Sequence, residues 1–373
     1  MDQVLVVGAG AIGLLSAYQL ARAGLIVKVL EAGEAGRESS WAGGGIVSPL
    51  YPWRYQAPVT ALAHWSQDFY PHVGQQLFAQ TGIDPQVYET GLFWLDLEDQ
   101  AQALAWAQKH RRPLRELAME EVRRQVPALG PTFKRAIYLE GVANVRNPRL
   151  VKALRAALMM MSNVELIEHC QVQGFVRDGR RVTGVTTTQG VYRAPRIAVA
   201  AGAWSGGLLA TLGIKIPVVP VKGQMLLYRA DPSWLTRMVL AEGRYAIPRR
   251  DGHILVGSTL EHAEFDKTPT AQALDSLQCS AQRLLPELAR ASPVRHWAGL
   301  RPGSPDGVPF IGELEQAPGL WLNCGHYRNG LVLAPASCEL LKNLMLGEAP
   351  IIDPAPYAPS PRLASSASRS PAF

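Results

Sequence analysis

VLVVGAGAIGLLSAYQLARAG, residues 4–24, is the stretch on which the fold turns. Residues 4–7 are an apolar run short enough for a fully buried strand, and residues 12–23 repeat with helical period until Gly24. Between them lies GAGAIG. A second apolar run, IVKVL at 26–30, ends at Glu31. Strand, tight turn, helix and strand in this order open a parallel sheet.

GAGAIG fits G-x-G-x-x-G, and each position has a physical task. Gly8 permits the turn, Gly10 lets backbone approach a pyrophosphate, and Gly13 lets helix and strand pack closely. Ala11 and Ile12 begin a helix whose free N–H groups and positive dipole end suit phosphates. Glu31 is placed to accept hydrogen bonds from a ribose diol. The stretch predicts a dinucleotide site, without deciding between FAD and NAD.

Three later stretches bear on that choice. SSWAGGGIVSP, residues 39–49, offers Ser39 and Ser40 to phosphate or ribose, and Gly43, Gly44 and Gly45 where a flat ring can lie against backbone. VAAGAWS, residues 199–205, ends a strand in small residues and supplies Ala201, Gly202 and Trp204. GHYRNGLVLAP, residues 325–335, is a glycine-rich turn leading into a helix and supplies His326, Arg328, Asn329, Gly330 and Leu331. Such a helix start can stabilise an anionic reduced flavin. Taken together, the three stretches favour a large, flat cofactor.

The rest of the chain bounds the function. Its 373 residues are 47% hydrophobic and 18% charged, an ordinary globular composition that suggests two domains. Four widely spaced cysteines read as reduced thiols of a cytoplasmic protein. No spacing suggests a metal site. The N-terminus has no basic region of a signal peptide, and no apolar run is long enough for a transmembrane segment. The net charge of +6 is scattered, with only short pairs such as Arg249-Arg250, so it predicts an anionic ligand rather than nucleic acid.

Helices are expected over 60–81, 99–125, 148–161, 270–285 and 330–346, with short strands at 164–168, 171–177, 181–187 and 196–200. Residues 217–230 and 236–262 alternate and turn, and Asp251-Gly252 between apolar runs signals a hairpin. The expectation is an α/β (α+β overall) chain: a Rossmann-type dinucleotide domain interleaved with an antiparallel-sheet domain. Residues 1–83, 146–216 and 296–349 form the first, and 84–145 and 217–295 the second. Residues 350–373, rich in Pro, Ala and Ser, read as a disordered tail.

WAGLRPGSPDG, residues 297–307, sets a single cation, Arg301, among small and apolar residues. A buried guanidinium is costly unless a carboxylate of the protein or of a ligand pairs with it.

GAGAIG, AAGAWS, WAGLRPGSPDGVPFIG and GHYRNGLVLAP, in this order, resemble the D-amino-acid-oxidase superfamily of flavoproteins, and within it the ThiO-type glycine oxidases. The resemblance spans the chain up to about residue 347. It implies non-covalent FAD, and assigns Arg301 to the substrate carboxylate, Tyr245 to a hydrogen bond with the same group, and Arg328 to the active site. Ile46 and Leu260 stand where glycine oxidases can carry pocket methionines. Sarcosine oxidases attach flavin to a cysteine, but NCGHYRNG around Cys324 does not match that attachment motif. The implied reaction passes a hydride from Cα of a small amino acid or N-substituted glycine to flavin N5, giving an imine. Dioxygen becomes hydrogen peroxide, and the imine can serve thiamine thiazole formation. Sarcosine, iminodiacetate and small D-amino acids are further candidate substrates. The competing readings are a dehydrogenase feeding a quinone or respiratory chain and a flavin-dependent RNA-modifying or non-catalytic binding protein. The resemblance also suggests a homo-oligomer.

Overall fold

A computed structural model describes residues 3–366. The opening stretch folds as expected. Gln3–Val7, Ala11–Arg22 and Ile26–Leu30 are strand, helix and strand, and the two strands are parallel neighbours. They lie in a six-stranded sheet ordered Phe310–Glu313, Leu320–Cys324, Arg196–Val199, Gln3–Val7, Ile26–Leu30, Val164–Ile167. All neighbours in it are parallel except Phe310–Glu313, which runs antiparallel to Leu320–Cys324.

Both faces of this sheet are covered, which is why its strands are largely apolar. Val4 and Val6 pack against the helices Ala11–Arg22, Ala57–Thr81, Asn147–Met159 and Gly330–Leu346. Leu5 and Val7 point the other way, toward a three-stranded sheet spanning Val172–Arg193.

The second sheet has eight strands: Arg295–Gly303, Val219–Arg229, His253–Gly257, Arg244–Pro248, Met238–Ala241, Leu92–Leu95, Ala136–Leu139 and Leu114–Leu117. It is antiparallel apart from the pair Met238–Ala241 and Leu92–Leu95. The Asp251-Gly252 turn joins Arg244–Pro248 to His253–Gly257 as the dipeptide suggested. One face is covered by Met119–Gln125 and Ala271–Leu284, and the other carries Met225, Tyr245 and Ile247 with Ile46.

Three expectations need correction. The span 99–125 is not one helix: Gln100–Lys109 stops short of Pro113, Leu114–Leu117 is an edge strand, and Met119–Gln125 is a second helix. Pro113 lacks an N–H and restricts the residue before it, so the first helix cannot continue. The boundary drawn at 295/296 falls in the strand Arg295–Gly303, which pairs along its length with Val219–Arg229 and belongs to the eight-stranded sheet. The tail is ordered as far as it is described. Tyr357 is 1% exposed and its hydroxyl donates to the Pro58 carbonyl at 2.7 Å. Arg362 donates to the Pro309 and Val308 carbonyls at 2.7 and 3.1 Å and covers the Phe310 ring. One buried aromatic and one arginine are enough to dock a segment whose composition argues for disorder. Residues 367–373 lie outside the described residues.

Candidate active site

A long cleft runs between the six-stranded and the eight-stranded sheet. At one end it is lined by Gly8, Gly10, Ala11, Ile12, Glu31, Ser39 and Ser40. The middle is formed by Gly43, Gly44, Gly45, Ala201, Gly202 and Trp204, and the far end by Met225, Tyr245, Ser258, Arg301 and Arg328.

The first end is built around a helix start whose own N-cap residue is a glycine. Gly10 ends the loop with no side-chain cap, and no acidic residue stands in the first turn. The Ala11 N–H is held by Ser40 Oγ at 2.8 Å. Glu31 turns its carboxylate inward, accepting from the N–H groups of Ala9 at 2.7 Å and Gly33 at 3.0 Å. Gly8 has φ +101°, and a Cβ there would meet the Ala200 carbonyl oxygen at 2.6 Å. Gly13 does not line the cleft; a Cβ at that position would run into the carbonyl of Gly8, so its task is the close packing of helix on turn.

The glycine run 43–45 is fixed from behind by a residue that no motif singles out. Arg249 is partly buried and donates to the Gly44 carbonyl at 2.7 Å, to Asn144 Oδ1 at 2.7 Å and to the Val145 carbonyl at 3.0 Å. Burial pushes its guanidinium down to about 10. A Cβ at Gly44 would stand 3.2 Å from the Tyr245 hydroxyl, so the missing side chain keeps the two halves of the cleft connected. Asn147 lines this wall too, and its Oδ1 is buried without a hydrogen-bond partner.

At the far end, cross-strand register does the placing. Val221 faces Arg301 and Gly223 faces Gly299, so residues 221, 223, 299 and 301 share one face of the sheet. The guanidinium lies over Gly223, where any Cβ would overlap it. Arg301 donates to the Lys222 and Thr259 carbonyls, both at 3.2 Å, and to Ser258 Oγ at 2.7 Å. Among the described residues no carboxylate pairs with it, and burial holds its pKa below the usual arginine value. Arg328 lines the same end and repels it. Tyr245 is 6% exposed, and its hydroxyl finds only Met225 Sδ, a weak acceptor, at 3.4 Å. Gly257 makes room for that hydroxyl.

Other expected residues divide. His326, Gly330 and Leu331 line the cleft. His326 is pushed down to about 3 by burial and contacts Ser337 Oγ at 3.1 Å, so it is neutral at physiological pH. Asn329 is buried behind the turn and does not line the cleft. Ile46 is buried in the wall. Leu260 is not a pocket residue. It is 46% exposed, because Ser258 and Thr259 beside it take the inward positions. Cys324 reaches the cleft as a thiol pushed up to about 12 by burial, which suppresses the thiolate that a covalent flavin link requires. Arg249, Met225, Ser258 and the glycines 223, 257 and 299 were not anticipated. Only the clustering of small residues near Arg301 could have hinted at some of them.

The residues present fit FAD: a helix start with glycine at its N-cap, an acid at the end of the second strand, a side-chain-free wall at 43–45 and an unsatisfied polar atom on Asn147. Among the described residues no helix is long and apolar enough to cross a membrane.

The family described as FAD dependent oxidoreductase (DAO) matches residues 3–344. Glycine oxidase of Pseudomonas aeruginosa is 65% identical over 97% of this chain and 100% of its own length. The bifunctional protein ThiO/ThiG of Synechocystis is 32% identical over 97% of this chain and 54% of its own. The crystal structure of glycine oxidase from Geobacillus kaustophilus superposes with a TM-score of 0.90 at 30% identity, covering 96% of this chain and 98% of that one. The chain therefore belongs to the DAO family of FAD-dependent oxidoreductases, with FAD as its cofactor and the oxidation of an amino acid as its chemistry.

Proposed function

We propose that the chain oxidises glycine and other small amino acids or N-substituted glycines to their imines, with dioxygen reduced to hydrogen peroxide. The observation that carries this reading is Arg301, a guanidinium at the end of the cleft that is hydrogen-bonded on its protein side to neutral oxygens alone. An ion with that surrounding is best satisfied by a carboxylate arriving from the cleft, which it can grip through charge-assisted bonds.

The neighbours refine the anchor. Tyr245 can exchange its thioether partner for a substrate oxygen at little cost, since sulfur is the weaker acceptor. Arg301 and Arg328 together disfavour an ammonium ion nearby, so they lower the pKa of a bound substrate's amine and favour its neutral form. The carboxylates lining the cleft are Glu31, Glu34 and Glu38, all at the dinucleotide end, so the substrate end offers no acid to compete for Arg301. Ile46, Met225 and Tyr245 wall this end with side chains that favour a small substituent on the substrate. FAD held along the cleft would supply the acceptor for the hydride that leaves Cα and the route for electrons to dioxygen. The protein's share is to hold the acid, keep the amine unprotonated and narrow the range of geometries.

A relative that joins a ThiO to a ThiG unit in one chain supports a further part of the reading, that the imine of glycine feeds thiazole synthesis in thiamine formation. The test is kinetic. Arg301→Ala removes two charge-assisted bonds of about 1.5–3 kcal/mol each, so KM for glycine should rise roughly a hundredfold or more. Peroxide release scored beside dye reduction separates oxidase from dehydrogenase. A KM unchanged in Arg301→Ala, or turnover with dye but no peroxide, would sink the corresponding part of the reading.

A further inference from the structure

Arg301 is held by oxygens that are themselves held. Residues 258–261 run beside 222–224, and Lys222 and Glu261 exchange backbone hydrogen bonds at 2.9 and 3.0 Å. The Lys222 carbonyl therefore serves both the Glu261 N–H and the Arg301 guanidinium. The second carbonyl on Arg301 belongs to Thr259, whose hydroxyl donates to Glu261 Oε1 while accepting from the Gln224 N–H at 2.8 Å. Gln224, fully buried, donates to both Glu261 oxygens at 2.9 and 3.1 Å.

Glu261 is thus the acid on which two of the three branches converge, those through the Lys222 and Thr259 carbonyls, while the third, Ser258 Oγ, does not reach it. It makes no bond to Arg301. We propose that Glu261 is a positioning residue for Arg301: through Thr259, Gln224 and the shared Lys222 carbonyl it fixes the orientation in which the guanidinium meets a carboxylate. This inference rests on the reading of Arg301 as the substrate anchor. Without the carboxylate, the buried Gln224 amide keeps only Thr270 Oγ1 as an acceptor, at 3.1 Å, and the Thr259 hydroxyl has none. The peptide carrying the Thr259 carbonyl then keeps its backbone bonds but loses its side-chain braces, and a less well placed anchor weakens ground-state binding.

The experiment uses the holoenzyme, with steady-state kinetics on glycine and titration with acetate followed by flavin absorbance. In Glu261→Ala and Thr259→Val, KM for glycine and the dissociation constant of acetate should each rise about tenfold, with kcat within twofold of wild type. Glu261→Gln, which keeps an acceptor oxygen, should recover most of the affinity. Affinities within twofold of wild type in both disrupting variants, or a fall in kcat with affinity unchanged, would overturn the proposal. Thr259→Val changes one hydroxyl at constant shape and decides the matter should Glu261→Ala not fold. Arg301→Ala measured alongside keeps the two ideas apart. Acetate affinity unchanged in Arg301→Ala refutes the anchor itself. Affinity lost there but retained in Glu261→Ala and Thr259→Val refutes only the positioning role.

Discussion

Replacing Gly223 by alanine tests the substrate end with one methyl group. Gly223 lies within the strand Val219–Arg229, and the nearest atoms to its added Cβ are the guanidinium nitrogens and Cζ of Arg301. Those atoms are the far end of a long side chain, so the arginine can yield where a backbone neighbour could not. Two magnitudes follow. Alanine in a strand interior is favoured over glycine by about 0.5–1 kcal/mol, while each of the three bonds that a displaced guanidinium can give up costs about 1.5–3 kcal/mol. The gain offsets only part of that loss, so Tm should fall by a few degrees for each bond lost. Substrate binding has no such compensation. Loss of one of two charge-assisted bonds to a carboxylate costs about 1.5–3 kcal/mol, a rise of roughly tenfold to a hundredfold in KM. The assay is glycine-dependent peroxide release over a substrate range, with thermal unfolding of the same preparation. A fold as stable as wild type with KM within twofold would refute the placement of the carboxylate against Arg301.

Two further outcomes concern the fold. Tyr357→Ala should cost about 3–5 kcal/mol, because it empties a fully buried aromatic site and strands the Pro58 carbonyl; an unfolding midpoint equal to wild type would show that the C-terminal segment does not dock. Acid should destabilise the protein through its buried neutral histidines: His326 is pushed down to about 3, so between pH 6.5 and 3 the unfolded chain binds a proton that the folded chain does not. Stability is then full above pH 6.5 and falls as pH drops, by about 2 kcal/mol at pH 5 from His326 alone. Urea midpoints at pH 7 and 5 check this, and a slope equally steep in His326→Gln would show that other groups carry it.

The parallel half of the molecule was legible because its rules are local. An apolar run with β-branched residues, a glycine turn and a helical period specify strand, turn and helix without reference to anything distant, and Glu31 is read from its place after a strand. The failures have equally particular causes. Leu114–Leu117 is a half-buried edge strand with a charged centre, Arg115-Glu116, so no apolar signal marks it between two helices. Tyr357 is one aromatic in a run of Pro, Ala and Ser, and composition averages it away. Arg295–Gly303 was divided because its glycines and proline look like loop, yet Gly299 and Gly303 are in the strand to let Ala42 and Val221 approach.

The substrate end shows a different limit. Arg301 could be singled out from its own surroundings in the chain, as a cation with no acid near it. What makes it an anchor lies 40 to 80 residues away, in Lys222, Thr259 and Ser258, and is made of carbonyls and one hydroxyl that almost any sequence could supply. Gly223 matters because strand register sets it opposite Gly299, and register depends on pairing between Val219–Arg229 and Arg295–Gly303. A one-residue slip would turn Arg301 to the other face of the sheet, toward the helix-covered core. The chemistry of this end is therefore tied to the antiparallel sheet as a whole. The hairpins that fix its register are as much a condition for binding an acid as the guanidinium itself.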